Sequence, residues 1–146
     1  MKVSEILSNK SSKVETVTVN TSFAGVARLM DEKSIGSVVV CDRAGEVLGI
    51  LSERDITRAV SSYGPDAFSL MAGTLVKDTI VSCRPDDDVK HVMSIMTRKR
   101  ARHVLVMVDG QLVGLVSVGD VIKYRLDNCE LEVNVLRDHA LVRSFA

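Results

Sequence analysis

The chain repeats itself. Phe23 to Met30 matches Val89 to Met96 at an offset of 66 residues (Met30 to Met96), and Val38-Val39-Val40 lies over Val104-Leu105-Val106 at the same offset. Gly49-Ile50-Leu51-Ser52-Glu53-Arg54-Asp55 then lies over Gly114-Leu115-Val116-Ser117-Val118-Gly119-Asp120 at an offset of 65 (Gly49 to Gly114). The lost residue falls where Asp42-Arg43-Ala44-Gly45 becomes Val108-Asp109-Gly110, a turn, where a deletion disturbs least. Such a duplication means two copies of one supersecondary unit, each needing the other to cover an apolar face.

Each copy reads strand, helix, strand, strand, helix, an α+β pattern. Val14 to Val19 alternates valine with polar residues, the period of a half-buried strand. Thr21 or Ser22 is placed to cap the next helix, whose Phe23, Val26, Ala27 and Met30 share one face. In the second copy Pro85 and Asp86-Asp87-Asp88 mark the same helix start, and the carboxylates suit the positive end of the helix dipole better than a metal. Ser37 to Cys41 and His103 to Val108 are near-continuous apolar runs, as expected of strands buried on both faces. Ala44-Gly45 and Asp109-Gly110 turn the chain into short strands, Leu48 to Leu51 and Leu112 to Val116. Ser52 and Ser117 then cap helices expected to run to about Ser61 and Leu126.

The organisation that follows is a first repeat with its lead-in over residues 1–63, a linker over 64–75, a second repeat over 76–128 and a C-terminal helix over 129–146. Gly64-Pro65-Asp66 breaks the chain between the repeats, and residues 67–74 read as a short helical linker. Leu131, Val135, Leu136, Val142 and Phe145 give the last segment a roughly helical pattern with no counterpart after the first repeat. It is expected to pack on the module or on a second subunit.

Composition removes several functions. Lys and Arg total 19 and Asp and Glu also 19, so no net field recruits nucleic acid or an anionic membrane. Aromatics are 3% and Trp is absent, which leaves no platform for stacking single-stranded bases. Cys41, Cys83 and Cys129 are odd in number and widely spaced, unlike a disulfide framework or a zinc site, and read as small hydrophobes in a reducing compartment. Neither a signal-peptide run nor a membrane-length apolar stretch occurs, so a cytoplasmic protein is expected. No nucleophile–base pair, metal spacing or GxxxxGK[ST] loop supports an enzyme.

The duplicated Gly-hydrophobic-x-Ser-x-x-Asp carries the chemistry. A serine at a strand end, three residues before an aspartate in the first helical turn, sets a hydroxyl beside a carboxylate and free helix N–H groups. Together these offer donors and acceptors to a vicinal diol such as ribose. Plain capping accounts for Ser52, Ser117, Asp55 and Asp120 on the residues alone. Two matched copies, each behind a glycine-bearing hairpin, resemble the CBS (cystathionine-β-synthase) domain family over Lys13 to Asn128.

The resemblance implies two repeats related by a pseudo-twofold axis, with two clefts that take adenosine compounds. Carried over, Ser117 and Asp120 would hold ribose in the second-repeat site, with Val81, Ala101 and Leu115 around adenine. Arg102-His103 stands where the family places a phosphate-facing basic pair, and Arg54 where similar proteins aim a cation into the opposite cleft. An arginine fork matches phosphate oxygens well. A first-repeat site of Ile35, Gly36, Ile50, Ser52 and Asp55 would have Gly36-Ser37 in place of the basic pair and Glu15 in place of Val81. That site is expected to be weaker, selective for another ligand, or empty.

The function implied is a non-catalytic regulatory sensor that needs no cofactor and binds an adenine nucleotide, AMP first among AMP, ADP, ATP and NAD. The alternatives are a ligand-free protein-interaction module and a sensor of S-adenosylmethionine. The regulated target is expected to be a separate protein. A homodimer is expected too, with Val26, Leu29, Val92 and Ile95 supplying apolar area.

Overall fold

The computed structural model describes residues 1–10, 13–76 and 80–145, and the backbone alone at Ser144 and Phe145. Ala146 and the Phe145 side chain, both assigned above to the C-terminal helix, lie outside the described residues, as does the start of the second repeat at 77–79.

Each repeat builds one three-stranded sheet. In the first, β1 (Thr16–Thr18) runs parallel to β2 (Ser37–Cys41), which is antiparallel to β3 (Val47–Ser52). Between β1 and β2 lies α2 (Phe23–Lys33), and α3 (Glu53–Tyr63) follows β3. The lead-in helix, α1, is Val3–Asn9. A 3-10 turn at Gly64–Ser69 and the short α4 (Ala72–Leu75) join the repeats. In the second repeat β4 (Ser82–Cys83), β5 (His103–Val108) and β6 (Gln111–Ser117) repeat the sheet, with α5 (Val89–Lys99) between β4 and β5. The final helix α6 is Val118–Phe145.

Local chemistry repeats with the sequence. Ser22, not Thr21, caps α2 by accepting from Gly25 N–H at 3.0 Å, and Asp88 caps α5 by accepting from Lys90 N–H at 2.9 Å. Both helices end on a left-handed residue, Ser34 (φ 52°) and Arg100 (φ 51°). Neither is glycine, so each turn is held against a preference of order 1 kcal/mol by what packs around it.

The central strands are buried on both faces, as their continuous apolar runs predict. Val38 and Val40 point into a core with Val17, Val26, Met30 and Leu51. Val104 and Val106 point into the corresponding core with Cys83, Val89, Val92 and Val116. The alternate residues, Val39 and Leu105, meet across the two sheets with Leu115, Ile50, Cys41 and Met107. Val39 and Leu105 are 66 apart and Ile50 and Leu115 are 65 apart, so this shared core is made of repeat-equivalent residues.

The lead-in helices are exchanged. Helix α1 places Val3 and Ile6 in the core of the second repeat, whereas α4 places Ala72 in the core of the first. Val3 N–H donates to Asp87 O at 3.0 Å and Ala72 N–H to Thr21 O at 2.8 Å, equivalent contacts at equivalent places. The N-terminal lead-in thus packs on the second repeat, not on the first with which the sequence reading grouped it. A smooth surface is required where α4 lands: a Cβ on Gly73 would lie 2.9 Å from Val19 Cβ and 3.1 Å from Val19 O.

Two further expectations change. The helix expected to stop near Leu126 and the C-terminal helix are one continuous helix of 28 residues, because nothing after Gly119 is glycine or proline. Val26 and Val92, expected to offer apolar area to a second subunit, are 0% and 1% exposed in their own cores. Only Leu29 and Ile95 on those faces remain partly accessible.

Gly73→Ala should lower stability by ~1–3 kcal/mol, the cost of overpacking, because the obstacle is the Cβ and backbone of Val19, just past β1, which cannot retreat. Gly114→Ala meets only the movable tip of Leu7, at 2.7 Å and 2.9 Å from its Cδ atoms, and should cost less. Urea unfolding midpoints of the two variants test the order.

Candidate functional site

The duplicated serine and aspartate do cap their helices. Ser52 Oγ accepts from Asp55 N–H at 3.3 Å, while Asp55 Oδ2 accepts from Ser52 N–H at 2.8 Å and Ser52 Oγ at 3.0 Å. In the second repeat Ser117 Oγ accepts from Asp120 N–H at 3.1 Å and Asp120 Oδ2 from Ser117 N–H at 2.9 Å. Capping fixes each carboxylate beside its hydroxyl, so the cap also presents the pair needed for a diol. The structural and ligand-binding readings are compatible.

Ser52 with Asp55, and Ser117 without Asp120, line clefts shared with the other repeat. One cleft of about 300 Å³ joins Ile50, Ser52 and Asp55 of the first repeat to Val81, Ala101 and Arg102-His103 of the second. A cleft of about 250 Å³ joins Leu115 and Ser117 of the second repeat to Ile35, Gly36 and Glu15 of the first. The sequence reading had grouped Val81, Ala101 and the basic pair with Ser117 and Asp120, and Ile35 and Gly36 with Ser52 and Asp55. The structure exchanges these partners, because the sheets pack face to face and the end of β3 abuts the start of β5. Leu115 goes with Ser117 as expected but is separated from Val81 and Ala101. Arg54 does share the cleft of Arg102, as expected.

The two clefts differ in charge. Besides Arg54 and Arg102, the first is lined by Arg58, Lys99 and Arg100, giving five cations against the single carboxylate of Asp55. Sequence reasoning missed these three. Lys99 and Arg100 end α5, where basic residues suit the helix dipole and so do not by themselves signal a site. Arg58 sits one turn beyond Asp55, its Nη1 4.0 Å from Asp55 Oδ1, too long for a strong pair.

The second cleft carries an internal cation. Lys10 Nζ donates to Asp120 Oδ2 at 2.7 Å and to Leu115 O at 2.8 Å. Asp120 itself lines the hollow behind that lysine. Burial alone would raise the Asp120 pKa, but the Lys10 hydrogen bond and charge and the Ser117 N–H outweigh it and hold the carboxyl below its usual range. His103 lines both clefts. Burial, then the Lys10 charge, push its pKa down against the pull of Asp120 and Asp55, so its imidazole is neutral near pH 7.

A pair of sheet-and-helix repeats facing each other across a shared core, with a capped hydroxyl–carboxylate pair in reach of each cleft, defines a tandem-repeat ligand-binding module. The CBS domain profile matches residues 3–62 and again 72–127, and the chain belongs to the CBS domain family, as a pair of repeats. A 17.7 kDa protein of Acidianus ambivalens is 35% identical over 127 residues, spanning 86% of this chain and 74% of the relative. The crystal structure of a CBS-domain-containing protein of Agrobacterium tumefaciens superposes with a TM-score of 0.81 at 36% identity, covering 86% of this chain and 99% of that one. The CBS domain pair of the protein MJ0100, solved with 5′-methylthioadenosine and S-adenosyl-L-methionine, shares the fold with a TM-score of 0.77 at 21% identity, over 88% of this chain and 98% of that one. CBS pairs are regulatory ligand-binding modules. No helix among the described residues is long and apolar enough to cross a membrane.

Since the folded-state pKa of Asp120 is depressed, its stabilising bond to Lys10 is fully present above the ordinary carboxylate value of 3.8 and is lost as pH falls through the lower folded-state value. Thermal midpoints followed from neutral pH into acid should therefore fall more steeply for wild type than for Lys10→Met. Parallel curves would mean that the ion pair contributes nothing to acid sensitivity.

Proposed function

We propose that this chain is a non-catalytic sensor that binds an adenine nucleotide, AMP foremost among AMP, ADP, ATP and NAD, in the cleft between Ser52–Asp55 and Arg102–His103. The observation that carries this reading is the convergence of Arg54, Arg58, Lys99, Arg100 and Arg102 around one carboxylate in a chain whose net charge is zero. Phosphate oxygens offset such a cluster, and guanidinium forks bind them bidentately. Asp55 and Ser52 take the ribose hydroxyls, and Val81, Ala101 and Ile50 flank adenine. His103, neutral in the free protein, is a donor to phosphate once protonated.

The cation cluster also argues against the S-adenosylmethionine alternative here. The sulfonium and amino groups of that ligand bring positive charge into a cleft already holding five cations. In the second cleft, Ser117, Asp120, Leu115 and Ile35 form an adenosine site only when Lys10 releases Asp120, so that site is the weaker of the two. The sequence reading had ranked Asp120 above Asp55; the partnering of Asp55 with the basic pair reverses that order. The non-catalytic reading is supported by the thiols: burial raises the pKa of Cys41 and pushes Cys83 up to about 11, leaving both protonated and poorly nucleophilic. The protein acts as a homodimer on a separate target.

Asp55→Ala should weaken AMP binding by ~1.5–3 kcal/mol, the range for hydrogen bonds to a charged group, and Asp120→Ala should weaken it less. Isothermal calorimetry measures both, and equal affinities for wild type and Asp55→Ala would defeat the ribose assignment. In thermal-shift assays AMP should stabilise wild type more than adenosine does, by mass action on the folded state. Arg54→Ala and Arg102→Ala should narrow that difference while leaving adenosine binding nearly intact. No heat or shift with any adenosine compound would favour the ligand-free interaction module instead.

A further inference from the structure

From residue 129 to residue 143 every side chain of α6 is exposed, so the last ~22 Å of the helix, at 1.5 Å per residue, stands clear of the body of its own chain. An unsupported helix of this length is marginal in water. Six of its exposed apolar side chains fall in one row, Ile122, Leu126, Cys129, Val133, Leu136 and Ala140 alternating in steps of four and three, while Leu131, Val135, Leu141 and Val142 lie off it. That spacing is an unbroken heptad seam, with Leu126, Val133 and Ala140 at a and Ile122, Cys129 and Leu136 at d. Ile122, Leu126 and Leu136 are 54%, 58% and 68% exposed. The face that docks on the body, carrying Val121 and Tyr124, lies elsewhere on the helix. Its continuation along Leu131 and Val135 is interrupted by Asn128 and Asp138.

Charges beside the seam identify the occupant. Arg125 and Glu132 take g positions and Glu130 and Arg137 take e positions. None of the four has an oppositely charged residue three or four places away, so they do not serve the intrahelical pairing that usually explains surface charge. In a parallel, in-register pair of these helices, Arg125 faces the second copy's Glu130 and Glu132 faces its Arg137, and symmetry doubles both attractions. Antiparallel pairing of the same seam instead sets Glu130 on Glu130, Glu132 on Glu132 and Lys123 on Arg137, all like charges. Val at a with Leu at d in the central heptad is the combination that favours two strands.

We infer that the C-terminal helix joins two copies of this chain as a parallel, in-register coiled coil from Ile122 to Ala140, with the two Cys129 side chains facing across the axis. This interface does not involve the nucleotide clefts and stands independently of what they bind.

Sedimentation equilibrium of the full chain at micromolar concentration should give twice 15.9 kDa. Leu136→Lys, at an exposed position, should give the monomer mass while keeping the wild-type circular dichroism of the body and its response to AMP, whatever that response is. The double variant Glu130→Arg/Glu132→Arg should also dissociate, and adding Arg125→Glu/Arg137→Glu should restore the dimer. Copper–phenanthroline oxidation should cross-link wild type into a reducible dimer and leave Cys129→Ser uncross-linked. A monomeric wild type, a dimer indifferent to Leu136→Lys, or cross-linking unchanged in Cys129→Ser would each overturn the inference.

Discussion

Everything in this molecule depends on two sheets being pressed together through Val39 and Leu105. Both are fully buried, and each belongs to a strand whose other face is already filled by its own repeat. A single repeat would leave that row in water, losing ~1.5–3 kcal/mol for each large side chain exposed. The unit is therefore unstable alone and stable as a pair. Because the interface residues are repeat-equivalent, the contact has approximate twofold symmetry, and two clefts open beside it as a geometric consequence. The exchanged lead-in helices tighten the arrangement: α1 completes the second core and α4 the first, so neither half can leave without uncovering the other.

Much of this was legible in the sequence, because duplication supplies an internal comparison. The offsets located both sheets, the apolar runs located the strands buried on two faces, and the serine–aspartate spacing located both caps. What escaped was long-range. Nothing in Met1 to Lys10 announces that its helix belongs to the second repeat, since an apolar pair three residues apart, Val3 and Ile6, does not say which core it enters. The grouping of site residues failed for the same reason. Sequence proximity put Arg102 with Ser117 and Asp120, whereas sheet packing carries the start of β5 to the end of β3. Val26 and Val92 were read as surface because a helical stripe gives a buried face without saying how deep it lies. The junction inside α6 was misplaced because the repeat ends near Leu126 while the helix has no residue there that would end it.

The clefts show how duplicated geometry diverges through a few charges. Both repeats retain the hydroxyl–carboxylate pair, which capping alone would preserve. One cleft is lined by five cations, Arg102 among them; the other has Gly36 where the first has Arg102 and Glu15 where it has Val81. A carboxylate buried to the extent of Asp120 needs a compensating charge, and with no basic pair across the cleft the chain supplies Lys10. His103 lines both clefts, and its pKa is pulled upward by Asp120 and by Asp55 alike.

A ligand in the cationic cleft would touch both repeats, so its binding would bear on their relative arrangement. Five cations gathered around the single carboxylate of Asp55 still repel one another on balance, and the repulsion falls if the repeats separate slightly about the Val39–Leu105 contact. Phosphate reverses the sign, favouring the closed arrangement, whereas adenosine leaves the repulsion in place. Such a ligand shifts an equilibrium only by the difference in its affinity for the two arrangements, and charge neutralisation supplies that difference directly. The second repeat carries α6 directly after β6, so a rotation of that repeat would move the helix of 28 residues with it. A small change at the cleft would therefore be largest at the far end of the exposed helix, where a second copy or a target would be met.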